Sequence, residues 1–154
     1  MKNVQDRPAA NRHPARMTRA FAATREIDRP AEQVWARLTD WDHAAPWLGV
    51  DAISADGATA VGTTLRFTTR GKDRTSEIAA LAPGRSITLR SRQGGVTADY
   101  VYGVEPSGPG SRVTLTAEVE TRGAWSLAGP MIRAAIRRTD RGQLDAFERE
   151  LVNR

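Results

Sequence analysis

The sequence predicts an α+β domain: a curved, seven-stranded antiparallel sheet wrapped on one long C-terminal helix, with two short helices after the first strand. Three observations predict it. One strand-like stretch is followed by two short helical ones. Six further strand-like stretches then alternate with tight turns, and from Ala124 the apolar period changes from about 2 to about 3.6. Such short spacings favour sequential antiparallel hairpins over parallel crossovers. A helical layer on one face of the sheet lets both apolar surfaces be buried.

Taken in order, residues 1–16 hold two prolines, scattered charge and no hydrophobic period, so residues 1–17 read as a disordered N-terminal extension. Met17 is a candidate natural start, and residues 18–154 form the single domain. Residues 19–27 alternate, with Phe21, Ala23 and Ile27 on one face of the first strand. Asp28 is placed to cap a helix that has Pro30 at its first position and Glu32 in its first turn. Ala31, Val34, Trp35 and Leu38 then recur at i, i+3, i+4, i+7 and form a buried stripe. The following "WDHAAPWL" reads as a second short helix broken before Pro46.

Strands are expected over 50–55, 63–69, 74–81, 86–92, 97–105 and 112–121, separated by turns rich in Gly, Pro and Asp. In the last, Val113, Leu115, Ala117 and Val119 share one face. Ile132, Ile136, Leu144, Phe147 and Leu151 form the stripe of the C-terminal helix, with weak points at Gly129-Pro130 and Gly142.

The composition excludes several classes of function. The 154 residues carry 40% hydrophobic and 27% charged side chains, as in globular domains, and no cysteine, which removes disulfides and thiolate chemistry. Nothing approaches the roughly 18 consecutive apolar residues of a membrane span, and the N-terminus lacks the apolar core of a secretory signal. The expected location is cytoplasmic. Residues 1–16 supply +3 of the net charge of +5, so the patterned chain is nearly balanced. Asp140 and Asp145 dilute the cluster Arg133, Arg137, Arg138 and Arg141, which reads as a solvated helix face and not as a nucleic-acid site.

No catalytic motif is present. His13 falls in the extension, and His43 has no G-x-S-x-G serine elbow to serve. Asp40 and Asp42 flank His43 without a second imidazole, so no metal and no cofactor is expected. "PSGPGS" sits in a hairpin and lacks the lysine of a phosphate loop.

The passages "IDRPAEQVW", "DWDHAAPW" and "VEPSGPGSRVTLT", with the amphipathic C-terminal helix, resemble the polyketide cyclase/dehydrase-like branch of the START/Bet v 1 superfamily, the SRPBCC proteins. The resemblance covers about residues 18–152 and implies a helix-grip fold with an apolar cavity between sheet and long helix, closed at one end by the short helices. Members include lipid carriers, polyketide aromatase/cyclases, hormone receptors and co-chaperones.

An internal pocket would be mostly apolar with a few polar groups. The candidate lining is Trp47, Leu48, Leu65, Phe67, Tyr100, Tyr102, Leu115, Val119, Ile132 and Ile136. The two tyrosines are the most informative, because buried phenols need partners. Arg25 and Asp140 fall on inward faces by parity and are candidate polar anchors for a ligand. Of the clustered tryptophans, Trp35 is expected in the core, Trp41 at the helix junction and Trp47 at the cavity mouth. On that reading Trp35→Ala costs about 3–5 kcal/mol while Trp47→Ala mainly weakens binding.

The favoured function is therefore binding of a small hydrophobic, lipid- or polyketide-like molecule without catalysis. The alternatives are a polyketide cyclase/dehydratase-like enzyme acting on a carbonyl substrate, and a protein-interaction or regulatory module. A homodimer is compatible with all three.

Overall fold

A computed structural model describes residues 17–152, so residues 1–16 of the expected extension lie outside the described residues. Seven strands form one antiparallel sheet in the order β1-β7-β6-β5-β4-β3-β2. They are β1 (Thr18–Ile27), β2 (Ala52–Ala55), β3 (Thr64–Thr69), β4 (Lys72–Ala82), β5 (Ser86–Gln93), β6 (Val96–Ser107) and β7 (Gly110–Thr121). The chain leaves β1 at one edge, crosses through α1 (Ala31–Leu38) and α2 (Ala45–Leu48) to β2 at the other, and returns strand by strand. Sequential hairpins make this order the one the short turns dictate. The β3–β4 turn has two residues: Arg70 and Gly71 both take positive φ, 52° and 73°, between the paired Thr69 and Lys72. That backbone matches the twist of the flanking strands.

Register shifts at Arg19/Phe21 in β1 and at Ile78/Ala80 in β4 mark bulges, which add local bend to the sheet. On its concave face the alternation holds: Val113, Leu115, Ala117 and Val119 of β7 are all buried. On the other face Asp99 is also buried, because its carboxylate takes both forks of Arg90 on the neighbouring strand, at 2.7 and 2.8 Å.

The C-terminal helical segment fills the concave face, and it is divided at the two weak points. A 3-10 helix (Gly123–Ala128) leads into α3 (Gly129–Asp140), and Arg141-Gly142 separate α3 from α4 (Gln143–Val152). The α3 helix packs over β1 and β7, while α4 packs against α2 and β1. Leu38, Leu65, Ile78, Leu115, Leu144 and Phe147 are almost fully buried in the resulting core. Each such side chain contributes about 1.5–3 kcal/mol relative to exposure.

Two local expectations are corrected. Asp28 does not cap α1; Pro30, in extended conformation at ψ 146°, occupies the cap, and its carbonyl accepts the bonds from the Gln33 and Val34 amides. Proline has no amide to lose at that place, so the helix starts one residue later than expected. Pro46 likewise does not end the second helical segment. It stands in the first turn of α2, after the 3-10 turn Trp41–His43, and the stop comes from Gly49 at φ 72°.

Candidate functional site

Between the α2 end of the molecule, strands β2 to β6 and the α3–α4 junction lies a cavity of about 270 Å³. Leu48 and Val50 border it from α2 and the segment that follows. Strands β2 and β3 give Ile53, Leu65, Phe67 and Thr69, β4 gives Ser76, and β5 gives Leu89 and Ser91. Ala98, Tyr100 and Tyr102 project from β6, and Thr139, Asp140 and Gln143 come from the helix junction.

The polar wall is a connected network. Tyr100 donates its hydroxyl to Asp140 Oδ2 at 2.5 Å, and Tyr102 donates to Gln143 Oε1 at 2.7 Å. Gln143 Nε2 donates in turn to Asp140 Oδ1 at 3.3 Å, which closes the chain. Alternation on β6 puts both tyrosines on the inward face, two residues apart. Asp140 and Gln143 are three residues apart across the helix break, which turns both toward the same wall. On the neighbouring strands, the hydroxyls of Ser76 and Ser91 meet at 2.6 Å across β4 and β5. Among the described residues no buried side-chain nitrogen or oxygen lacks a partner.

Burial pushes Asp140 above the usual carboxylate range, against the opposing pull of hydrogen bonds from Tyr100 and Gln143. Burial also raises Tyr100 far above an ordinary phenol, with the charge of Asp140 and the bond to it adding to the effect. Tyr102 is raised for the same first two reasons, burial and then Asp140. Both phenols therefore stay protonated and act as hydrogen-bond donors. Asp140 is the one lining residue drawn toward neutral pH from its ordinary range.

This has a measurable consequence. Because the folded state raises the Asp140 pKa, the folded chain binds the extra proton more readily than the unfolded chain. The stability from that group is complete below the ordinary carboxylate value of about 4 and is lost as pH rises through the raised value. Wild-type protein is thus expected to lose stability relative to Asp140→Asn over the range above about pH 4. Urea midpoints measured for both across this range would contradict the assignment if their difference stayed flat or ran the other way.

The candidate lining residues separate into three groups. Leu48, Leu65, Phe67, Tyr100, Tyr102 and Asp140 line the cavity. Leu115 and Val119 are buried core residues of β7, and Ile132 and Ile136 are half-buried against that core from α3. None of these four reaches the cavity, because α3 lies over β1 and β7 and only its last residues approach the opening.

Trp47 is not at the cavity mouth. It is 3% exposed and packs edge-on against Tyr102 at 5.7 Å and Phe147 at 5.1 Å, behind the wall that Tyr102 forms. Trp35, expected in the core, is only half-buried. Trp41 is buried and its indole Nε1 donates to Thr59 Oγ1 at 3.0 Å. Arg25 is not a cavity anchor either. It does lie on the inward face, but at edge strand β1, where its guanidinium is about two-fifths exposed and pairs with Asp145 of α4.

Gln143, Ser76 and Ser91 were not foreseen as lining residues. Strand parity carries a signal for the serines, since Ser91 shares a face with Leu89, but for Gln143 the only hint is its i+3 spacing from Asp140. His43 is exposed and pairs with Asp40 at 2.8 Å, away from the cavity. Among the described residues no three His, Asp or Glu side chains converge in a way that could hold a metal ion. Among them, too, no helix is long and apolar enough to cross a membrane. On the surface, Trp125 and Leu127 of the 3-10 helix and Met131 at the start of α3 are exposed apolar side chains. Trp125 is anchored there by close approach to Gly95, where a Cβ would stand 2.4 Å from its ring.

Seven antiparallel strands gripping a C-terminal helical segment, with a partly polar cavity between, define a START/Bet v 1-like helix-grip domain. The chain belongs to the family described as polyketide cyclase/dehydrase and lipid transport, whose sequence profile matches residues 18–152. It is similar to the Zhui aromatase/cyclase from Streptomyces sp. R1128, with 20% identity and a TM-score of 0.68 over 88% of this chain and 93% of that one. A START superfamily protein from Mycobacterium smegmatis gives 17% identity and a TM-score of 0.69, covering 86% and 97%. Truncated norcoclaurine synthase from Thalictrum flavum gives 15% and 0.68, covering 90% and 96%. At these identities the likeness is one of fold. A comparison with curated protein sequences found no match.

Proposed function

We propose that this protein binds a compact, mostly apolar molecule in the cavity between β2–β6 and the α3–α4 junction, without turning it over. The observation that carries the reading is Asp140. A carboxylate held largely out of water is costly, and a wall that served only as core would be better filled by an apolar side chain. Apolar walls with a few converging polar groups are the usual form of a ligand site. The cavity volume of about 270 Å³ sits just below the usual range of about 300–1,000 Å³. That size suits a ring with a short side chain better than a long acyl chain.

A catalytic reading assigns Asp140 as general base and Tyr100 as proton donor toward a carbonyl substrate, a chemistry in keeping with the family's description. The environment of Tyr100 works against it. Efficient acid catalysis needs a pKa near the working pH, and burial, reinforced by the neighbouring carboxylate, drives this phenol the other way. A third reading, docking or self-association, rests on the exposed apolar side chains of Trp125, Leu127 and Met131.

Native mass spectrometry after gentle purification separates the three. The expected result is a monomer carrying one unmodified small molecule. A bound compound that is converted on incubation would favour catalysis, and a dimer without adduct would favour self-association. An empty monomer whose melting point is unmoved by a panel of small apolar compounds would overturn the binding reading.

A further inference from the structure

The donors and acceptors left over on the cavity wall narrow the ligand's chemistry. The Tyr100 proton is committed to Asp140 and the Tyr102 proton to Gln143. One Gln143 amide proton is committed to Asp140 as well. What remains is mainly acceptor capacity: the lone pairs of both phenol oxygens and those of the carboxylate that Tyr100 and Gln143 leave unused. The remaining donors are one proton of the Gln143 amide and serine and threonine hydroxyls, all neutral.

Charge points the same way. Among the described residues, no lysine, arginine or histidine lines the cavity, and Asp140 takes part in no ion pair. The groups facing Asp140 are Tyr100 and Tyr102 from β6 and Gln143 from α4, none of them a cation. The arginines on either side of it in sequence, Arg137 and Arg141, are placed elsewhere. Arg137 donates to the Ala20 carbonyl at 3.1 Å, and Arg141 borders a separate groove along β1. Arg25, the nearest candidate counter-ion by sequence parity, is engaged by Asp145. The cavity thus offers a half-hidden negative charge with its counter-charge missing, on a wall short of donors. An acidic head group would meet repulsion there, whereas a positively charged donor would meet both charge and acceptors.

We infer that the ligand is a primary or secondary amine on a compact, ring-sized apolar body, with Asp140 as the counter-ion of its ammonium and the phenol oxygens of Tyr100 and Tyr102 as further acceptors. This rests on the cavity-binding reading above and adds the class of ligand to it. Fatty acids and other carboxylates are excluded by the same argument.

Calorimetric titration with three probes of matched size tests it: 2-phenylethylamine, 2-phenylethanol and 3-phenylpropionate. The amine is expected to bind roughly tenfold or more tighter than the alcohol, and the carboxylate weakest. Asp140→Asn is expected to erase the preference of amine over alcohol. A second readout uses the unmodified protein. Amine affinity should fall as pH drops from about 8 to about 4 and Asp140 gains its proton, with alcohol affinity changing little. Alcohol or carboxylate binding as tightly as the amine, or an amine affinity indifferent to both Asp140→Asn and pH, would overturn the amine assignment and leave the cavity reading standing. Failure of all three probes to bind would overturn both.

Discussion

Trp47→Ala is expected to cost about 3–5 kcal/mol of folding stability, the largest loss among the four tryptophans. The indole is 3% exposed and sits where α2, β6 and α4 meet. Its ring meets Tyr102 at an interplanar angle of 83° and Phe147 at 68°, both edge-on. Such pairs add about 0.5–1.5 kcal/mol beyond the area they bury. Truncation leaves a void that Tyr102 and Phe147 cannot close, since both are themselves packed to near-zero exposure. Trp35→Ala removes a half-buried ring at the surface of α1 and is expected to cost clearly less. Trp41→Ala falls between, losing a buried ring and its bond to Thr59. Urea denaturation of the three variants tests the order, and a larger loss for Trp35 than for Trp47 would contradict this account of the packing. Because Tyr102 faces the cavity from the other side, Trp47→Ala should also weaken ligand binding, as a consequence of the lost support.

The same residue shows how far the sequence could be read. Helical spacing placed Trp35 on the stripe of Val34 and Leu38, but a stripe specifies a direction and not a depth. Val34 and Leu38 are fully buried while Trp35, on the flank of the stripe, reaches the rim. Trp47 sits beside a proline in a segment too short to show any period, and its burial comes from α4, about a hundred residues further along the chain. Alternation and turn chemistry were sufficient for the strands, because period and turns are local properties. The breaks at Gly129-Pro130 and Gly142 were visible for the same reason. The cap of α1 was not, since Asp28 and Pro30 both suit a helix start and the choice depends on how β1 delivers the chain.

For the cavity, parity separated inward from outward correctly at Leu65, Phe67, Tyr100 and Tyr102. It could not separate covered from uncovered. Leu115 and Val119 face inward too, but α3 lies over their strand with Ile132 and Ile136 packed against the core, while the space left open borders strands β2 to β6. Which part of a concave sheet stays empty depends on its curvature and on the path of α3 and α4, and neither leaves a periodic trace. Arg25 and Asp140 illustrate the same limit. Both sit on inward faces, but one lies at an edge strand within reach of Asp145, and the other lies at a helix break over the opening.

The bond between Tyr102 and Gln143 carries the second large effect. Tyr102 is 2% exposed and Gln143 9%, and their 2.7 Å bond is the one by which β6 holds the start of α4. Tyr102→Phe leaves the Gln143 oxygen buried without a donor, at an expected cost of about 1–3 kcal/mol. Gln143→Leu leaves the phenol proton without an acceptor, at a similar cost, and also takes one hydrogen bond from Asp140. Replacing both partners removes the orphaned groups together, since an apolar pair of similar shape needs no partner. The double variant is therefore expected to be more stable than the sum of the two losses predicts, by about 1 kcal/mol or more. A double-mutant cycle on urea stabilities measures that difference directly. Strict additivity would mean the bond holds nothing, and α4 would then be fixed by its apolar contacts through Leu144, Phe147 and Leu151 and by the Arg25–Asp145 pair. With coupling present, the wall that presents Asp140 to the cavity is held by a polar bond, and the two phenols serve different ends. Tyr102 fixes the helix; Tyr100, bonded to the carboxylate itself, sets how Asp140 meets what binds.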